Sequence, residues 1–172
     1  MTVEPKLTGT YVLLLFLPDN VAISIGKLGE FDFPAGWYTY VGSAFGAGGL
    51  LGRIKHHLQP VTKPHWHIDY LRQHAVVKEI WLSPDTQRRE QDWVELMFDI
   101  PGAVALIEGF GASDSTQETH LFYFDVRPSL EDFVIGVRAR FPEATVVRAF
   151  GEENGGSGGE ETGPVQRSAG VE

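Results

Sequence analysis

The 172-residue chain contains no cysteine. A disulfide framework, a thiolate metal site and a cysteine nucleophile are therefore excluded, and the absence suits a reducing compartment. Long apolar runs are missing too. The stretch Tyr11–Leu17 is far too short to span a bilayer. Met1–Thr8 carries Glu4, Pro5 and Lys6 and does not read as a signal peptide. Cytoplasmic residence with no membrane partner is the expectation. An excess of base is also lacking. The formal charge is −9, which argues against nucleic acid, whose binders usually carry a basic footprint. No internal repeat is visible. What the chain does have is a hydrophobic fraction of 42%, enough for the core of one domain of ordinary size.

The placement of charge changes the reading of its total. Residues 151–172 hold five acids (Glu152, Glu153, Glu160, Glu161, Glu172), one base (Arg167) and almost no large apolar side chain. Such a segment cannot bury enough surface to offset its ordering entropy, so it reads as a disordered acidic tail following a domain at 1–150. The tail accounts for −4, leaving −5 for the body. Between Leu51 and Ala75 the sign reverses: Arg53, Lys55, Lys63 and Arg72 oppose only Asp69, and five of the six histidines lie there.

Tyr11–Leu17 reads as a buried strand stopped by Pro18-Asp19-Asn20. Val21–Ile25, Phe31–Phe33 and Trp37–Val41 add three short strand signals separated by Gly- and Pro-containing turns. Together they predict a β-meander. Leu50, Leu51, Ile54 and Leu58 fall at helical spacing, and Trp66–His74 predicts a second helix. Val76–Leu82 predicts a strand. Ser83-Pro84-Asp85 offers an N-cap for an amphipathic helix over 86–98, with Trp93, Leu96 and Met97 inward. Leu121–Val126 predicts a strand, Leu130–Arg140 a last helix, and Val146-Val147 a short strand. The class is α+β, a small antiparallel sheet flanked by helices.

The residues that carry chemistry follow this frame. Gly9-Thr10-Tyr11 opens the first strand and Tyr40-Val41-Gly42 closes the fourth. Arg53 and His57 share a helix face, and Glu90 opens a later helix. With GWYTYVGSA, RIKHHL, PHWHIDYL and GFGASD…HLFYF in order, the chain resembles the GIY-YIG nuclease superfamily. It is most similar to the small stand-alone subfamily also found fused to endonuclease-III-like repair glycosylases. The likeness runs from Thr8 to Val126. It implies a GIY-YIG-like fold, with an extra strand pair between the two tripeptides, and a metal-dependent endonuclease acting on DNA in repair or recombination, on branched or damaged forms among others. It implies Mg²⁺ or Mn²⁺ held by Glu90. It further implies that Tyr11 and Tyr40 position or deprotonate the attacking water.

Elementary chemistry fits those roles. Hydrolysis of a phosphodiester needs a nucleophilic water, a proton acceptor and positive charge on the phosphate. Arg53 can supply a bidentate cation that stays charged at any working pH, and Glu90 a hard ligand. His57 can orient a phosphate or shuttle a proton. Lys55, His56, Lys63 and His67 are the expected nucleic-acid contacts. Taken singly, Tyr11 and Tyr40 also suit half-buried strand aromatics, Arg53 a surface cation, and Glu90 an ordinary helix N-terminal acid. Two rival functions stand beside the nuclease: a nucleic-acid-binding module without cleavage, and an accessory protein-interaction domain.

His65, His67 and Asp69 form an H-x-H-x-D pattern, but the segment reads as helical, where alternate side chains diverge. Packing and phosphate contact by Trp66 and His67 are the preferred roles there. Gly109–Asp114 lacks the lysine and helix start of a phosphate loop, and Ser24, Ser43 and Ser113 lack a nucleophile elbow. Two departures from the superfamily stand out. Tyr11 and Tyr40 are 29 residues apart, and the site survives only if three turns return the strand of Tyr40 antiparallel to that of Tyr11. Many GIY-YIG nucleases also use a late asparagine, whereas this chain has only Asn20 and Asn154. Asp114 or His120 is the expected substitute.

Overall fold

The computed structural model describes residues 6–112 and 119–150. The acidic segment 151–172 and Ser113, Asp114, Ser115 and Gln117 lie outside those residues. The chain runs β1 (Gly9–Leu17), β2 (Val21–Ile25), β3 (Gly29–Phe33), β4 (Gly36–Ala44), α1 (Gly49–Leu58), α2 (His67–Arg72) and β5 (Val76–Pro84). It continues through α3 (Glu90–Phe98), β6 (Leu121–Phe124), α4 (Leu130–Arg140) and β7 (Val147–Phe150). The five-stranded sheet has the order β6-β4-β1-β5-β7, every pairing antiparallel, and β2-β3 forms a separate two-stranded sheet. The α+β expectation and the extra strand pair both hold.

The sheet explains why Tyr11–Leu17 is apolar without alternation. A strand's side chains alternate between faces, and β1 is central and covered on both. Tyr11, Leu13, Leu15 and Leu17 join one core with Tyr38, Tyr40, Leu50, Ile68 and Leu71. Val12 and Leu14 join another with Trp81, Trp93, Met97, Phe122 and Phe133. Helices α1 and α2 with the β2-β3 ribbon close the first face, and α3 with α4 the second. Among the described residues no helix is long and apolar enough to cross a membrane.

Three boundaries correct the sequence reading. The meander is not formed, because β1 pairs with β4 and β5 rather than with β2. The ribbon is an excursion whose base is tied by Ala35 N donating to Asn20 Oδ1 at 2.7 Å. The helix expected from Thr86 begins at Glu90. Ser83 and Pro84 stay in β5 opposite Thr10 and Gly9, and Asp85 accepts from Gln87 N at 2.9 Å, closing a turn instead of capping a helix. The second helix is shorter than Trp66–His74.

Asp69 sets that helix in place. Its Oδ2 accepts from the backbone N–H of His65 (2.9 Å) and Trp66 (3.0 Å), a cap reaching back over the helix start. Its Oδ1 meets His56 Nε2 at 3.0 Å and Arg72 Nη1 at 3.1 Å. Burial pushes the carboxyl's pKa up, but those backbone donors and His56 outweigh it and hold it below the ordinary value. A carboxylate lowered by the fold contributes stability above its unfolded pKa of about 3.9, and that contribution is lost as pH falls through the lower folded value. Asp69→Ala should cost about 3–5 kcal/mol in urea unfolding at pH 7, because it strands Arg72 and two amides. The gap to the native protein should narrow as pH drops below about 4. An equal gap at pH 7 and pH 3 would contradict this account.

Candidate active site

Register decides whether the two tripeptides meet. Tyr11 lies opposite Gly42, and Tyr40 opposite Leu13. Both tyrosines thus sit on the same face, one diagonal step apart, as the three-turn argument requires. Gly42 is the reason this works: a Cβ there would collide with the Tyr11 phenol. The bare backbone lets the Tyr11 ring lie across β4 and reach α1, where its hydroxyl and His57 Nε2 form a hydrogen bond of 2.8 Å. Gly111 does the same for Tyr40. Its φ of +70° favours glycine, and a Cβ would come within 2.8 Å of the Tyr40 ring.

A cleft of about 660 Å³ opens at this end of the sheet. Tyr11, Tyr40, Arg53, His57 and Glu90, the five residues expected to carry chemistry, all line it. Arg53 rises from α1 with its guanidinium 4.2 Å from the centre of the Trp66 ring, a cation–π contact that braces a long side chain. Trp66 therefore packs beside the cleft, as anticipated. Lys55, His56, Lys63 and His67 are not among the lining residues. Lys55 and Lys63 are solvent-exposed, His56 is spent on Asp69, and His67 Nδ1 accepts from Gly111 N at 2.9 Å.

Glu90 faces the cleft from the first turn of α3. Its Oε2 accepts from Ser43 Oγ at 2.7 Å and its Oε1 lies 2.8 Å from His120 Nδ1. That nitrogen is also 3.2 Å from the Val41 carbonyl oxygen. With an acceptor on either side, Nδ1 carries the proton. Burial raises the Glu90 pKa, yet His120, Ser43 and the charge of Arg53 together hold it below the ordinary value. Ser43 and His120 are the residues that sequence reasoning undervalued. Ser43 was considered only as a nucleophile, although it lies one residue beyond the second tripeptide and across from Thr10. His120, expected only in place of the asparagine, lines the cleft, while Asn20 serves the turn before β2.

The two tyrosines and His57 are held neutral. Burial raises the pKa of Tyr11 and of Tyr40, with further pushes from their acidic neighbours that Arg53 only partly offsets. Burial, helped by Arg72 and His56, pushes His57 down to about 3. Its Nδ1 is buried and lacks a hydrogen-bond partner among the described residues. His56, His57 and Asp69 present ligand atoms within 4.8 Å of one another, a grouping the H-x-H-x-D pattern did not reveal. Asp69 has little to offer a cation, since both its oxygens already accept two donors each, one of them a guanidinium.

A family model described as "Domain of unknown function DUF123" matches residues 10–142, a span from β1 to just beyond α4 that contains every cleft residue named above. Neither a curated protein nor a solved structure matches the chain.

Two measurements check this geometry. The imidazole resonances of His57 should stay constant between pH 5 and pH 8, and a midpoint near 6.5 would contradict its buried state. Because the fold favours the neutral ring, stability should decline as pH falls below about 6.5, where the unfolded chain takes up the proton. Gly42→Ala should destabilise by roughly 1–3 kcal/mol through overpacking and break the Tyr11–His57 contact. Unchanged thermal stability together with unchanged His57 resonances would sink that claim.

Proposed function

The chain belongs to the DUF123 family, and on that footing we propose that it is a GIY-YIG-type endonuclease hydrolysing DNA phosphodiester bonds. One observation carries the reading: five residues from four separate elements, Tyr11, Tyr40, Arg53, His57 and Glu90, line a single cleft. Arg53 has no carboxylate partner among the described residues, so its planar fork is available to a phosphate.

The residues fit a hard divalent cation. Glu90 is charged and faces the cleft, and Ser43 and His120 occupy one lone pair on each oxygen while leaving others free. Glu90 would hold Mg²⁺ or Mn²⁺, with waters and phosphate oxygens completing the shell. Such an ion supplies positive charge for the phosphoryl group as its negative charge grows.

The chain's own groups would do the rest. Arg53 clamps the phosphate. Tyr40 stays protonated and orients the water by donating or accepting a hydrogen bond. Tyr11 passes its hydroxyl proton to His57 Nε2 while taking one from the attacking water, whose oxygen bonds to phosphorus as the bond to the leaving strand oxygen breaks and that oxygen takes a proton from solvent. The neutral imidazole is a weak base in the empty cleft, and an anionic phosphate nearby favours the imidazolium and strengthens it. A cleavage-free binding module is the second reading, favoured by Asn20, which serves a turn rather than the cleft.

Incubation of the purified protein with plasmid and branched DNA in Mg²⁺ or Mn²⁺ should give nicks or breaks. Arg53→Ala and Glu90→Ala should each slow them by about 10²–10⁴-fold. Cleavage that survives both substitutions would sink the mechanism. Binding without cleavage by the native protein would favour the second reading.

A further inference from the structure

Most of the described arginines answer to a carboxylate. Arg72 meets Asp69, Arg89 meets Asp85, Arg127 and Arg148 meet Glu79, and Arg140 meets both Asp92 and Glu95. The cleft holds two that do not. Arg53 and Arg88 both line it, and neither has an ion-pair partner among the described residues. Each is braced on an aromatic face instead. Arg53 stacks on Trp66, and the Arg88 guanidinium lies 4.6 Å from the centre of the Phe45 ring. A guanidinium stacked on a ring keeps its N–H edge free for an anion and loses less side-chain freedom on binding one.

The acids of the same cleft are accounted for. Asp92 and Glu95 share Arg140, at 3.1 Å and 2.8 Å, and Glu90 is held by Ser43 and His120. The two guanidiniums are therefore the cleft cations whose N–H edges no carboxylate of the described residues occupies. They come from different elements: Arg53 from α1, beside the two tyrosines, and Arg88 from the segment between β5 and α3, two residues before Glu90. One phosphate over Tyr11 and Glu90 accounts for Arg53 and leaves Arg88 without a role.

We propose that Arg88 binds a second phosphate of the same strand, one flanking the phosphate held by Arg53. The ligand is then a polynucleotide gripped at two phosphates rather than an isolated diester. This rests on the nucleic-acid reading above and says which part of the strand the cleft recognises. Arg88 is solvent-exposed, so its replacement leaves the core untouched.

The test is equilibrium binding of a fluorescent oligonucleotide by the full chain, in EDTA, across a salt series. Each phosphate contact contributes about 0.7–0.9 to the slope of log affinity against log salt. Arg88→Ala should lower the slope by that amount and weaken binding about tenfold at low salt, while Arg88→Lys should keep the slope. Single methylphosphonate replacements along the strand then locate the contact. At one flanking position, loss of the charge should weaken the native protein about tenfold and Arg88→Ala no further. An unchanged slope in Arg88→Ala, or equal losses in both proteins at every position, would overturn the proposal. No binding by the native protein even at low salt would instead remove the nucleic-acid reading on which it stands.

Discussion

The pairing of β1 with β4 is the constraint on which the cleft depends. With Tyr11 set opposite Gly42, the ring crosses a bare stretch of backbone to reach His57. A one-residue slip of β1 against β4 would put Tyr11 and Tyr40 on opposite faces of the sheet, since successive side chains alternate. Slippage is resisted from both sides, because Leu13 and Leu15 bury in one core and Val12 and Leu14 in the other. The chemistry-bearing face and the hydrophobic core are therefore specified by the same register.

Around that pairing, two polar knots hold the remaining groups. Asp69 anchors α2 to α1 through His56, pairs with Arg72 within α2, and gathers the start of that helix through two amides, which keeps Trp66 beside Arg53. Glu90 is gathered by Ser43 of β4 and by His120, so α3 and the strand of Tyr40 cannot move independently. Both carboxylates are held in the charged form by donors that outweigh their burial. The tyrosines and His57 have no comparable compensation, and burial keeps them neutral. The result is a cleft with fixed charges at its edges and uncharged, proton-bearing groups in its wall. The overall acidity of the chain says little about it. The acids that line it are bonded to Arg140, Ser43 and His120, while its two stacked guanidiniums meet no carboxylate among the described residues.

Much of this was legible from linear pattern. The turns expected at 18–20, 27–30 and 34–36 overlap the breaks between the first four strands, and their parity foretold that β4 runs against β1. Helix spacing brought Arg53 and His57 to one side, and α4 matched its periodic pattern, with Ser129 accepting from Asp132 N at its start. Other features were hidden for definable reasons. A capping signal at Asp85 looks the same whether the residue starts a helix or closes a turn, and only the extension of β5 alongside β1 chose the turn. Asp69 reaches His56 across 13 residues and Glu90 reaches Ser43 across 47, contacts beyond any local periodicity. Lys55 and Lys63 are expected as phosphate contacts from charge counted along the chain, but neither lines the cleft, whereas Arg88, from a stretch of mixed sign, does.

By itself the sequence determined the class of fold, which follows from short-range periodicity, and five residues in the cleft, which the resemblance carried by its ordered motifs implied. Tertiary structure alone decided what those residues do to one another. Which strand lies beside β1, which carboxylates are already satisfied and which guanidiniums remain unpaired all depend on burial and on contacts between distant segments, and no local pattern encodes either.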